Sequence, residues 1–347
     1  MAYTTINKST DYFNTKLYTG TGSTQSITGV GFQPDWVWCK TRNDTQDHQL
    51  IDVVRGVTKT IASNGSAAEF TDSNGLTAFG TDGFTVGSSG GINGSGDTLV
   101  SWNWKAGNAQ GSSNTDGSIN TTYTSVNTTA GFSISQYTGN GSAGATVGHG
   151  LGAVPGLIFI KNLSSASTDW GVYHQSLGGT KALFLDLANQ ADTNIKYFNN
   201  TDPTNQVFSL GTYNDENANG ENYIAYCFAE KAGYSKFGSY TGNGNADGTF
   251  VYTGFKPAWI MIKCSSHGSN NWVMVDNKRE GFNPDNDRLY ADSTSAESDT
   301  DVVDILSNGF KNRFTGGTSN GTSKSYVYMA FAEAPLVGTN NIPATAR

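Results

Sequence analysis

One strand-like segment with large side chains on both faces occurs three times along the chain. Each copy begins with a proline and carries a lysine six residues later, at residues 34–40, 155–161 and 257–263. Because side chains alternate between the two faces of a strand, the residues two and four positions after the proline share a face with the lysine. Both faces are apolar, which predicts a central strand that is covered on two sides, with the proline at its first position.

The surrounding segments repeat in the same order. A Tyr-Thr-Gly-Xaa-Gly turn precedes each copy of the strand, at residues 18–22, 137–141 and 240–244. An aromatic strand closes each copy, at residues 99–104, 223–228 and 326–331. Matching middle segments lie between them at residues 48–56, 170–178 and 272–281, and short apolar runs follow. Self-similarity of this kind indicates tandem repeats.

We therefore predict an all-β chain of three tandem antiparallel β-sandwich domains of jelly-roll-like type, with Asn-Gly pairs at several hairpin turns. The predicted repeats are residues 18–107 (copy 1), 131–232 (copy 2) and 234–336 (copy 3). Residues 108–130, rich in Ser, Thr, Asn and Gly, are interpreted as a linker, and residues 337–347 as a tail. Residues 1–17 are a lead-in that either docks onto a neighbouring protein or packs against copy 1.

Charge and apolar content limit the partners that we expect. The 347 residues carry a net charge of −8 and no cluster of Lys and Arg, so we expect no nucleic-acid partner. No apolar stretch approaches the roughly 20 residues that span a bilayer, so we expect no membrane insertion. Residues 1–8 lack the apolar core of a secretory signal, and folding in a cytoplasm is expected. Cys39, Cys227 and Cys264 are predicted to be buried free thiols.

Candidate metal ligands are few. The histidines His48, His149, His174 and His267 show no paired-ligand spacing, and we interpret them as surface or strand-end residues. Residues 215–220 match the opening of a calcium loop, yet Tyr226 stands where the bidentate Glu belongs, which favours a polar turn over a cation site. An acidic group in copy 3 is interpreted as solvated loops, with a weak cation site as the alternative. Its members are Asp285, Asp287, Asp292, Asp299 and Asp301.

Candidate catalytic residues are equally sparse. Glu230 and Glu333 take equivalent places after the closing strand, but copy 1 has Ala106 there. One acid per copy is not the pair, about 5–10 Å apart, that glycoside hydrolysis needs. We predict no enzyme activity and no catalytic, cofactor-binding or metal residue. Aromatic residues near loops either form sugar platforms or belong to the core, and we favour the core; they are Trp102, Trp104, Trp170, Tyr173, Trp272 and Tyr290.

Taken together, the repeated motifs resemble those of a family of virion proteins of tailed bacteriophages, especially marine phages. These proteins are built of tandem copies of a β-rich domain. The resemblance covers nearly the whole chain and is weakest in copy 2, where Phe208-Ser209-Leu210-Gly211 replaces the Ser-Asn-Gly of copy 3. The motifs that carry it are residues 32–38, 137–141, 304–310 and 328–333.

The resemblance implies a non-enzymatic component of the virus particle, assembled in the host cytoplasm, in a tail fibre or another appendage. Expected partners are other virion proteins and a polysaccharide or receptor on the host surface. A homo-oligomer is expected, a trimer if the protein is a fibre. The alternatives are a capsid decoration or head-vertex protein and, from another class, a tailspike enzyme that degrades polysaccharide.

Overall fold

Every copy of the repeated strand lies inside an antiparallel sheet of the computed structural model, which describes residues 4–279, 283 and 285–336. The first third of the chain forms a 3-10 helix (Ser9–Asp11), β1 (Phe13–Thr19), β2 (Gln25–Thr28), β3 (Trp36–Thr41), β4 (Gln49–Asp52), β5 (Lys59–Thr60), β6 (Phe70–Thr71), β7 (Leu76–Gly80), β8 (Gly83–Val86), α1 (Gly90–Asn93) and β9 (Thr98–Trp104).

The remaining elements fall in the middle and last thirds of the chain. The middle third forms β10 (Tyr123–Asn127), β11 (Phe132–Thr138), β12 (Ala145–Gly148), β13 (Leu157–Asn162), β14 (Gly171–His174), β15 (Lys181–Phe184), β16 (Asp192–Thr193), a 3-10 helix (Phe198–Asn200), β17 (Val207–Leu210), α2 (Asn214–Asn217) and β18 (Asn222–Phe228). The last third forms β19 (Ser235–Thr241), β20 (Phe250–Tyr252), β21 (Phe255–Cys264), β22 (Val273–Asp276), β23 (Asp285–Tyr290), β24 (Ser298–Leu306), β25 (Gly309–Asn312) and β26 (Ser325–Pro335).

The predicted all-β class is confirmed, with 43% strand, 4% helix and antiparallel pairing in the sheets. In each copy the proline-led strand pairs with the aromatic closing strand: β3 with β9, β13 with β18, and β21 with β26. The pairs Trp36–Trp104, Leu157–Phe228 and Trp259–Phe331 are equivalent in register. These registers align the three copies residue by residue.

The inner sheet of each copy is covered by a smaller outer group of strands. In copy 1 this group is β2-β8-β7, in copy 2 it is β12-β17, and in copy 3 β20 and β25 lie at the far end of one eight-stranded sheet. Separate apolar clusters fill these spaces, and they contain Val37 and Cys39, Ile158 and Ile160, and Ile260 and Ile262. One face of each proline-led strand therefore packs inside its own copy.

The opposite faces of the three strands meet in a single common core. One cluster joins buried residues of all three copies, including Trp36, Trp38, Leu157, Phe159, Trp259 and Met261. Rings contact across each boundary: Trp36 stacks on Tyr226 at 4.4 Å, Trp104 lies edge-on to Trp259 at 5.6 Å, and Phe228 lies 5.9 Å from Phe331. The sequence pattern predicted two covered faces correctly, but the count of three self-contained sandwich domains is not confirmed.

The residues that we interpreted as a lead-in contribute to the fold of copy 1. β1 pairs with β9 along its whole length, and Phe13 lies opposite Trp104. β11 and β19 take the same place in copies 2 and 3, so β1 is the first strand of copy 1. Ile6 and Phe13 are buried in the common core, and the ring of Phe13 contacts Trp104 of copy 1 and Phe331 of copy 3. Part of the segment interpreted as a linker likewise forms a strand, β10, and residues 337–347 lie outside the described residues.

The Tyr-Thr-Gly-Xaa-Gly motif has one structural role in all three copies. A buried asparagine at the equivalent place, Asn93, Asn217 or Asn320, accepts a backbone N–H of this turn through its side-chain oxygen. Its own carbonyl accepts the N–H of the second glycine. A Cβ on the first glycine of the motif would lie only 2.1–2.5 Å from a backbone oxygen, which explains why glycine stands there.

Candidate functional site

Buried polar contacts cross every boundary between the copies, and they form closed rings. The indole nitrogen of Trp170 in copy 2 donates to the carbonyl of Ala62 in copy 1 at 2.9 Å. The equivalent Trp272 in copy 3 donates to the carbonyl of Phe184 in copy 2 at 2.7 Å. His48 takes the tryptophan position in copy 1, and its Nε2 lies 2.9 Å from the carbonyl oxygen of Tyr290 in copy 3. Each copy thus contacts the one before it, and copy 1 closes the ring.

Backbone hydrogen bonds form a second ring with the same symmetry. The N–H of Glu69 donates to the carbonyl of Leu163 at 3.1 Å, and the N–H of Ala191 to that of Ser265 at 3.0 Å. The ring closes where the N–H of Glu297 donates to the carbonyl of Arg42 at 2.7 Å. The acceptors Arg42, Leu163 and Ser265 each lie two residues after the repeated lysine, so the repeats in the sequence and in the structure coincide.

A buried ion pair lies at two of the three boundaries. Asp276 contacts Arg279 at 2.7 Å and also accepts from the indole of Trp102 in copy 1 at 2.9 Å. Burial alone would raise the pKa of Asp276, but the Arg279 charge and these hydrogen bonds hold it below its ordinary value. Glu297 completes the group at 2.7 Å from Arg279.

The matching ion pair in copy 1 faces copy 2. Asp52 contacts Arg55 at 2.5 Å and accepts from the hydroxyl of Tyr226 in copy 2 at 2.7 Å. Glu69 lies 3.3 Å from Arg55. Copy 2 replaces all three charged members together, with His174, Leu177 and Ala191. There Nε2 of His174 lies 3.2 Å from the carbonyl oxygen of Tyr328, so the boundary with copy 3 keeps a hydrogen bond without the charges.

The three repeated lysines are buried with their ammonium groups on backbone carbonyl oxygens. Lys161 donates to Ser66 in copy 1 at 3.1 Å and to Thr168, and Lys263 donates to Leu187 in copy 2 at 2.7 Å and to Asn270. Lys40 donates to carbonyls of its own copy. Burial lowers the pKa of each lysine to about 8. Two of the three lysines therefore connect neighbouring copies.

His48, His149 and His174 lie at strand ends, which is one of the two positions that we expected, but none of the three is on the surface. His48, His149 and His174 are buried, and His48 and His174 lie at copy boundaries. Burial lowers the pKa of His48 to about 3 and that of His174 to about 4, so both rings stay neutral at physiological pH. The alignment of the middle segments already placed His48 with Trp170 and Trp272, but it did not show that these positions contact a neighbouring copy.

The candidate acids are distributed among structural contacts. Asp215, from the calcium-like segment, accepts from the backbone of Asp169 and the hydroxyl of Tyr197. Glu230 accepts from Gln175, Lys236 and the backbone of Phe237, and Glu333 pairs with Lys256 at 3.0 Å. Within the described part of the chain, no group of three or more His, Cys, Asp or Glu side chains is placed to hold a metal ion.

The acidic group of copy 3 is similarly dispersed. Asp287 pairs with Arg42 at 3.1 Å, and Asp292 accepts from the backbone of Trp272 at 3.0 Å. Asp299 and Asp301 are exposed on β24, and the side chain of Asp285 is outside the described set.

The aromatic residues near loops belong mainly to the core, as favoured. Trp102, Trp104, Trp170, Tyr173 and Trp272 are buried. The three cysteines are buried free thiols, as predicted. Among the described residues, no helix is both long and apolar enough to span a membrane.

Glu216, within the segment that matches the opening of a calcium loop, has a buried carboxyl group. One of its oxygens accepts from the backbone of Phe198 at 2.9 Å and of Gly211 at 2.6 Å, while the other lacks a hydrogen-bond partner. Burial raises the pKa of Glu216 to about 8. Its equivalents are Ile92 and Ser319, so this acid belongs to copy 2 alone.

Sequence reasoning also missed a pair of exposed aromatic rings on β20. Phe250 is 46% exposed and Tyr252 is 54% exposed, and they share one face of the strand because they are two residues apart. Tyr252 borders a surface cavity of about 370 Å³ that also contains Glu230 and Lys236.

A known protein family matches nearly the whole chain. A single profile, described as a domain of unknown function (DUF7483), matches residues 8–335. The chain belongs to the DUF7483 family. That one match extends over all three copies, from the 3-10 helix before β1 to the end of β26. No curated protein and no solved structure matches the chain.

Proposed function

We propose that this DUF7483 protein is a non-enzymatic structural component of a tailed phage particle, in a tail fibre or another appendage that attaches to the host surface. The observation that carries the proposal is the closed ring of boundary contacts around a common aromatic core. An appendage protein has to hold its shape outside the cell. Three copies joined by a common core and by a closed ring of contacts suit that task.

The use of ionisable side chains supports the same proposal. Asp52, Asp276 and Arg279 are fully buried at the copy boundaries, where each forms ion pairs or hydrogen bonds with structural partners. Removing one member of such a pair costs about 3–5 kcal/mol. These buried charges therefore stabilise the arrangement of the three copies.

The proposed partners follow from the resemblance to phage virion proteins. The partners that we propose are other virion proteins and a polysaccharide or receptor of the host surface, with neither nucleic-acid binding nor membrane insertion. We propose that the chain consists of three tandem β-sandwich repeats, arranged about an approximate threefold axis. A homotrimer is proposed if the protein is a fibre, since a three-lobed chain can sit on the axis of a trimeric shaft.

Labelling of intact particles with antibodies against the purified protein tests the location. We expect label on the tail or its appendages, and pre-incubation of host cells with excess purified protein should block particle attachment. Label on the head would instead assign the protein to capsid decoration, and absence from the particle would overturn the proposal. Shortening of purified host-surface polysaccharide by the protein would establish the tailspike-enzyme alternative.

A further inference from the structure

The two exposed rings of β20 stand where the other copies carry small residues. The buried residue between them, Val251, faces Phe310, just as Ile27 faces Phe84 in copy 1 and Val147 faces Phe208 in copy 2. This register aligns Phe250 and Tyr252 with Ser26 and Thr28 of copy 1, and with Thr146 and Gly148 of copy 2. The fold thus forms the same strand with small side chains on its outer face.

Exposed aromatic side chains on an outer strand carry a cost in solubility and association that charged or polar residues avoid. Copies 1 and 2 show that packing does not require the rings, because the inward residue alone fills the core of the outer layer. A role in binding accounts for their presence in copy 3.

The cavity beside Tyr252 supplies polar groups within the same site. Its lining includes Glu230 and Lys236, whose charges pair at 2.9 Å and neutralise each other. Ser235, Thr253 and Gly254 line it as well, and the hydroxyl groups of Ser235 and Thr253 bond to the backbone of Lys231 and Phe255. A volume of about 370 Å³ is at the lower end of ligand sites, which run from about 300 to 1,000 Å³.

We propose that this cavity, with Tyr252 in its lining and Phe250 beside it on the same face of β20, binds a short stretch of neutral glycan made of hexoses or N-acetylhexosamines. The inference rests on the proposed attachment function and assigns its ligand class. A pyranose offers one face of C–H groups that packs on an aromatic ring, and a rim of hydroxyls that both donate and accept hydrogen bonds. The site presents both kinds of partner, and its internal ion pair leaves no net charge for an anionic ligand.

A second copy of the chain fits this surface less well. At about half exposure the two rings offer roughly 150–250 Å² between them. A stable protein interface buries about 800 Å² on each partner. The neighbouring cavity is also concave and polar, which suits a small hydroxylated ligand.

Saturation-transfer-difference NMR with maltose, lactose, mannobiose and chitobiose tests the site on the full-length protein. We expect transfer to the ring protons of at least one disaccharide. The substitution Tyr252→Thr should weaken its binding roughly tenfold, about the loss of one ring contact. The double substitution Phe250→Ser with Tyr252→Thr should abolish the signal. These changes introduce the residues of copy 1, so the strand should still form. Phe70→Ser, which removes a 44% exposed ring elsewhere, is the matched control and should bind as the wild type does.

Failure of this site and failure of the proposed function give different results. If none of the four disaccharides binds, or if the double variant binds equally well, the glycan site is wrong, whatever the particle labelling shows. If a disaccharide binds but the protein is absent from particles, the site stands and the attachment function falls. A wild-type dimer that the double substitution dissociates, measured by sedimentation velocity, would assign the rings to self-association and overturn the glycan proposal.

Discussion

The indole nitrogen of Trp170 lies 2.9 Å from the carbonyl oxygen of Ala62 and joins copy 2 to copy 1. Trp170→Phe keeps an aromatic ring but leaves this buried carbonyl without its donor. Trp259→Phe is the matched control, because the indole nitrogen of Trp259 is buried without a hydrogen-bond partner. We expect Trp170→Phe to lower the free energy of unfolding by about 1–3 kcal/mol more than the control does, as measured by urea denaturation. Equal losses would show that the hydrogen bond contributes nothing.

The buried ion pair of copy 1 should respond to the residues of copy 2. Arg55→Leu leaves Asp52 charged, buried and without its cation, so we expect a loss of about 3–5 kcal/mol in the free energy of unfolding. Adding Asp52→His and Glu69→Ala reproduces the set found in copy 2 and removes the unpaired charges. This triple variant should be more stable than Arg55→Leu alone in the same urea experiment. A triple variant that is less stable would contradict the equivalence of the two boundaries.

Stability should fall as pH rises towards 8, because of Glu216. Its pKa is about 8 in the folded chain and near 4.5 when unfolded, so between these values the folded state binds the extra proton. One such proton changes the free energy of unfolding by up to about 1.4 kcal/mol per pH unit. Urea unfolding at pH 5, 6, 7 and 8 should show a smaller decline in Glu216→Gln than in the wild type. Parallel curves would mean that Glu216 is ionised in the folded protein.

The asparagine that holds each Tyr-Thr-Gly-Xaa-Gly turn should be essential to it. Asn217→Ala removes the acceptor of the Asn140 N–H and the donor to the carbonyls of Ser142 and Gly211. We expect a loss of about 1–3 kcal/mol and faster hydrogen exchange of the Asn140 amide. Asn219→Ala, at an exposed position of the next turn, is the control and should change neither quantity measurably.

Much of the fold was predictable, because it depends on local periodicity. Alternation in residues 34–40, 155–161 and 257–263 identified strands with two covered faces, and both faces are indeed buried. Alternation does not say what covers a face, however. Trp36 and Trp259 were therefore expected to pack within their own copies, whereas they meet in a core common to all three.

Neither the boundary contacts nor the candidate glycan site could be predicted from the sequence, and the reasons are related. His48 occupies the position that a tryptophan holds in the other two copies and contacts the same kind of carbonyl oxygen. Its residue type alone favoured a surface or strand-end position. Phe250 and Tyr252 resemble core residues until β20 is placed at the end of its sheet with Val251 facing inward. The exposure of the two rings depends on the register between strands that are distant in sequence, and the contact of His48 depends on the packing of one copy against another.

The central claim is that the three copies share one core and unfold together. Differential scanning calorimetry of the full-length protein tests it most directly, because a single cooperative unit gives equal calorimetric and van't Hoff enthalpies. We predict one transition with a ratio of these enthalpies of about 1. Two or three separable transitions, or a ratio near 3, would show that the copies unfold independently and would contradict the common core.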